Sequence, residues 1–147
     1  MNRKIERHLL ALTCVAVAAL NLPAASAGQS NYQCEISEHL ILTGKGELVR
    51  PSTPYMIGQQ FAIDRRTGQV TGSVLRMWGN PTFQVIRQGS DVDWFIATGT
   101  NKQRTGGTKR ERFTFIRVEE FATGPDKPFI VNTGSPITSI VASGICK

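Results

Sequence analysis

The chain has 147 residues, with 17 Lys and Arg against 11 Asp and Glu and a net charge of +6. That length suits one domain with a core of useful size, and so mild a basic excess permits anionic partners without demanding them. Beyond the N-terminal segment no apolar run approaches the roughly 20 residues that a membrane-spanning helix needs.

Met1 to Ala27 reads as a cleavable secretory signal peptide. Arg3, Lys4 and Arg7 form a basic start, and Leu9 to Leu20 is an uncharged run too short to cross a bilayer. Asn21 and Pro23 end the run, and Ala25-Ser26-Ala27 supplies the small residues a signal peptidase must fit. An amphipathic helix would need a one-sided pattern that the run lacks. A lipoprotein beginning at Cys14 fails as well, because Leu12 and Thr13 fit poorly and Val15 to Leu20 carries the apolar run past the cut. The expected mature chain, 28–147, is a single domain with 14 Lys and Arg against 10 Asp and Glu, or +4. Its destination is the periplasm or the medium.

Removal of Cys14 leaves Cys34 and Cys146 near the two ends. Two cysteines in an exported chain are expected to pair, which would set the first and last strands side by side. Between them the sequence reads as short strands and turns. All 14 glycines follow residue 27 and are spread along the chain. Tyr32 to Leu42 is one segment, with a helix at Glu38 to Leu42 as the alternative. Glu47 to Arg50 is a short strand before the Pro51–Pro54 loop. Gln60 to Asp64 and Gln69 to Val74 flank a hairpin turn, which Asp64 starts and Gly68 ends with positive φ. Arg76 to Pro81 is turn-like. Thr82 to Arg87 and Val92 to Thr98 follow, then a long polar loop over 100–110. Arg112 to Phe121 is expected as the longest strand, with Phe129 to Asn132 and Ile137 to Cys146 closing the chain. This predicts an all-β domain of about seven to nine strands, an antiparallel meander barrel first and a sandwich second, preceded by the signal-peptide helix.

The run Phe61-Ala62-Ile63-Asp64-Arg65-Arg66-Thr67-Gly68-Gln69-Val70-Thr71-Gly72 resembles a motif of small exported bacterial proteins. Val85 to Ser90, Lys127-Pro128-Phe129 and Ser143-Gly144-Ile145-Cys146 fit the same pattern. The resemblance implies export and a disulfide-closed domain, and brings no catalytic residues. Tyr32-Gln33-Cys34 also resembles the start of the small periplasmic inhibitors of C-type lysozyme, although the rest of their pattern is absent.

Few residues offer chemistry. His39 is the only histidine after the leader, and a lone histidine is by default a satisfied residue rather than a base. Asp91 and Asp93 would share a face in a strand, as paired acid and base require, but Gly89-Ser90-Asp91 reads as a turn. No Gly-x-Ser-x-Gly elbow and no spaced set of metal ligands occurs. Gly106-Gly107-Thr108-Lys109 lacks the full phosphate-loop pattern and precedes a strand. No cofactor is expected.

The strongest functional feature is basic. Lys102, Arg104, Lys109, Arg110 and Arg112 crowd one segment, opposed only by Glu111, and Arg65 and Arg66 sit at a hairpin tip. Loops at one end of a barrel converge, so a shared end would unite the two groups into a site for an anionic ligand or an envelope protein. Nucleic acid fits poorly, since no run of aromatics is interleaved. Trp78, in a turn-like place, is a candidate exposed aromatic, but the reading preferred is burial as a plug at one barrel end, and Trp94 is expected in the core. Three functions follow in order: a non-enzymatic, inhibitor-like envelope protein binding a ligand or protein; an accessory subunit of an envelope assembly; and a hydrolase using Asp64, Asp91, Asp93 and Asp126.

Overall fold

The computed structural model describes residues 30–105, 108–135 and 138–147, and at 103–105, 108–110, 135 and 138 only the backbone. The signal-peptide reading of 1–27 lies outside these residues. Nine strands are present: β1 (Asn31–Leu42), β2 (Leu48–Val49), β3 (Gln60–Asp64), β4 (Val70–Gly72), β5 (Thr82–Ser90), β6 (Asp93–Thr105), β7 (Thr108–Val118), β8 (Lys127–Ser135) and β9 (Thr138–Cys146). One short helix, α1 (Val74–Trp78), separates β4 from β5.

All pairings are antiparallel, in the order β4-β3-β1-β9-β8-β7-β6-β5, with β2 on the end of β1. Apart from β2, and from β4 and β5 at the two edges, chain neighbours are sheet neighbours and the last strand returns to the first. This is the expected meander barrel, nearly closed; the sandwich is set aside. Its opening lies between β4 and β5. There the β3–β4 turn reaches across: a Cβ on Gly68 would sit 3.0 Å from the backbone of Gln84 and Val85. Gly68 also has φ 75°, as the hairpin reading required.

Alternation along the strands fills the interior. Tyr32, Cys34 and Ile36 point inward from β1; a bulge between Ile36 and Glu38 then shifts the register, so that His39 and not Glu38 is buried. The segment 38–42 is therefore strand throughout. Ile63, Val70, Phe95, Ile116 and Val131 are fully buried beside them.

Three local expectations are corrected. Residues 100–105 and 108–110 are strand, not loop: β6, the longest described strand, and β7 run as a ladder to the pair Thr105–Thr108. The segment lacks apolar alternation, so its sequence carried no strand signal. Trp78 is not an exposed aromatic but wholly buried, its ring edge-on to Phe61 at 5.2 Å. The turn signal there belongs to the end of α1, where Gly79 takes φ 83° and caps the helix, while Val74 and Trp78, four apart, face the core. Trp94 is outside, 37% exposed, because its neighbour Phe95 takes the inward position.

Candidate functional site

The register gives the barrel two unlike ends, which the rung His39–Ala142 divides. At one end Cys34 and Cys146 stand directly opposite on β1 and β9 and form the expected disulfide. Gln33 and Lys147 beside them exchange both backbone hydrogen bonds at 2.8 Å, which leaves the cysteines in the closer, non-hydrogen-bonded kind of pair.

Deeper at this end lies Glu120, which only the fold brings to its partners. The Tyr32 hydroxyl donates to its carboxylate, and the Arg65 guanidinium pairs with the same oxygen while lying 5.3 Å over the Tyr32 ring. Lys127 donates to the Glu120 and Ala122 carbonyls. Burial pushes the Glu120 carboxyl above its ordinary range, and the Lys127 ammonium draws it partly back. Gly89, at φ 77°, closes one side of the cluster: a Cβ there would strike the Glu120 carboxylate and come within 2.7 Å of the Phe95 backbone nitrogen. The cluster is packed. It ties β1, the β3–β4 turn and the β7–β8 connection together near the barrel's opening.

The remaining titratable candidates are dispersed. His39 is 2% exposed, neither ring nitrogen reaches a protein hydrogen-bond partner, and Tyr55 stacks edge-on at 4.9 Å. Burial lowers its pKa against the opposing pull of Glu38. Asp64 accepts the backbone N–H groups of Arg66 and Thr67 at 2.9 and 2.8 Å, and these bonds, led by Thr67, hold its carboxyl below the usual range. Asp93 binds Arg87 at 2.6 Å, Asp126 lies 3.9 Å from Lys147, and Asp91 is exposed. The hydrolase reading placed four acids together; three of them instead serve a turn or a surface ion pair. An open cleft of about 490 Å³ on the outer wall includes Asp126 and Glu35, with Gln60 donating to Glu35 at 2.9 Å. Among the described residues no three His, Cys, Asp or Glu gather as a metal site.

The opposite end carries the β6–β7 hairpin. β5 follows β6 only as far as Thr82–Thr100, and β8 follows β7 only to Phe113–Gly134. The five pairs from Asn101–Arg112 to Thr105–Thr108 therefore have no flanking strand and form an arm beyond the barrel. At about 3.3 Å per residue it projects roughly 17 Å. Its register sets Lys102 opposite Glu111, Gln103 opposite Arg110, and Arg104 directly opposite Lys109. Lys102 is exposed, while the side chains of Arg104, Lys109 and Arg110, like Gly106 and Gly107, lie outside the described residues. Arg112 anchors the arm's root by donating to the Met77 carbonyl of α1 at 3.1 Å.

The two basic groups foreseen do not meet. The β3–β4 turn with Arg65 and Arg66 lies at the disulfide end, beside the start of β1, and the arm lies at the other. Arg65 is moreover engaged with Glu120. The formal charges divide with the ends. Lys45, Arg50, Arg76, Lys102, Arg104, Lys109, Arg110 and Arg112 face Glu47, Glu111 and the Glu38 that pairs with Arg50 at the arm end, or +5; the disulfide end has six Lys and Arg against seven Asp and Glu, or −1. Composition alone could not show this division, because it depends on which turns share an end.

No family model, curated protein or solved structure matches the chain.

Proposed function

We propose that this is an exported, non-enzymatic envelope protein that binds an anionic ligand or protein through its β6–β7 arm. One observation carries the reading: Arg104 stands directly opposite Lys109 in a two-stranded ladder that no described strand flanks. Like charges facing each other destabilise a sheet pair, and a bare hairpin is marginal to begin with. A purely structural hairpin gains nothing from this arrangement, whereas a phosphate or carboxylate seated between the two cations turns the repulsion into attraction. The +5 balance at this end adds long-range steering toward the same partner. Among the described residues, the acids with shifted pKa and the histidine are committed to a packed cluster, a turn and the core, which favours binding over catalysis.

The test is capture from envelope extract on the immobilised, oxidised protein at low and high salt. A partner retained at low salt, released at high salt and lost on Lys102→Glu with Lys109→Glu is the expected result. Retention that ignores both salt and the double reversal would refute the arm as the binding element.

A further inference from the structure

Trp94, the tryptophan that faces outward, belongs to a small aromatic corner at the disulfide end. Its ring meets Phe121 edge-on, with centroids 6.2 Å apart and planes inclined at 65°, and the Arg117 guanidinium lies over it at 5.2 Å. The two aromatic residues are 37% and 42% exposed. All three side chains come from neighbouring stretches of chain: Trp94 from β6, Arg117 from β7 beside it, and Phe121 from the connection that follows β7. Their contacts place them on one patch, whatever the curvature of the wall.

Area and charge decide what this corner can hold. Aromatic side chains bury about 150–250 Å² each in full, so at these exposures the two rings offer roughly 150–200 Å² together. A stable protein interface takes about 800 Å² from each partner. Val92, exposed on the turn before β6, does not close that gap. The charges around the rings cancel locally, since Arg117 pairs with Glu119 at 3.3 Å and Arg87 with Asp93 at 2.6 Å. Such pairs select neither an anion nor a cation. The ligand that fits is therefore small and neutral, with apolar C–H groups beside polar ones. The inclination of the rings narrows the choice further. A flat aromatic molecule stacks between parallel walls, and here it finds one wall only. A puckered saccharide ring turns C–H groups toward both sides of the corner, while its hydroxyls reach the half-buried Arg117–Glu119 pair.

We propose that Trp94, Phe121 and the Arg117–Glu119 pair form a binding site for a neutral saccharide, separate from the arm at the opposite end. In the test, the full chain is expressed with its own leader, isotope-labelled and purified with the disulfide intact. It is titrated with chitotetraose and with maltotetraose, which distinguish an acetamido sugar from a purely hydroxylated one. The two tryptophans give two indole N–H signals in nuclear magnetic resonance. At least one sugar should move the Trp94 signal saturably, at low and high salt alike, and leave that of the buried Trp78 in place. Phe121→Ser should weaken binding about tenfold, and Arg117→Gln should weaken it as well, with circular dichroism and the Trp78 signal unchanged. No saturable shift with either sugar would overturn the proposal. So would binding that both variants leave intact, or binding that high salt releases. A Trp94 signal that moves with protein concentration alone would overturn it too, since a second copy would then cover the rings.

Discussion

At the disulfide end five of the six cations have named partners. Arg65 pairs with Glu120, Arg87 with Asp93, Arg117 with Glu119 and Lys147 with Asp126, while Lys127 caps two carbonyls. At the arm end the described pairings are fewer, Arg50 with Glu38 and Arg112 with a backbone carbonyl, and eight cations share the space with three acids. The first end is built from contacts that satisfy one another. The second concentrates formal positive charge, with fewer pairings among the described residues. Local stability and unspent interaction thus separate along one barrel, as expected where a rigid scaffold presents a binding loop.

Four substitutions sharpen this contrast. The largest effect is expected from Cys34→Ala with Cys146→Ala, which reopens a separation of 112 residues. The loss, read by urea denaturation, should be about 4 kcal/mol in the chain-entropy limit and less if the reduced chain keeps structure. Glu120→Ala should cost about 3 kcal/mol by the same measurement, because it takes away the buried carboxylate that Tyr32 and Arg65 share. A loss below about 0.5 kcal/mol would mean the cluster does not hold this end together. Arg112→Ala is expected to cost about 2 kcal/mol through its charged hydrogen bond to Met77, with faster amide exchange in α1. Arg104→Thr should do the opposite. Removing one of two opposed cations should raise stability by a few tenths of a kcal/mol, to at most about 1, while weakening partner capture.

A pH profile separates the core from both ends. His39 is held neutral by burial, so its folded pKa lies below the ordinary 6.5. Above that value neither state takes up the proton. As pH falls below it the unfolded chain gains a proton that the folded chain refuses, and stability drops until the folded pKa is reached. The melting temperature should therefore fall between pH 7 and 6, and His39→Leu should flatten that part of the profile. An unchanged slope in the variant would assign the effect elsewhere.

Much of the fold was legible because it is written in local chemistry. Asp64 and Gly68 announced their hairpin, and Cys34 and Cys146 announced which strands would meet. The two tryptophans show where local reading fails. Trp78 sits among turn residues, yet those residues end a helix that carries it inward; Trp94 sits in a strand, yet Phe95 takes the core position and leaves it outside. Glu120 was invisible for another reason. It is 88 residues from Tyr32, and nothing in its own neighbourhood of Glu119 and Phe121 marks it as buried. The arm lay between these cases: its charges were plain, but a strand pair without apolar alternation looks like a loop until its ladder is seen.

The most direct measurement sets the two ends against each other in one experiment. Capture is compared for Lys102→Glu with Lys109→Glu at the arm and for Arg66→Glu at the exposed tip of the disulfide end, in proteins of equal stability. Loss of the partner in the arm variant and full retention in Arg66→Glu is the predicted result. Equal retention in both, or a greater loss from Arg66→Glu, would contradict the assignment of binding to the arm.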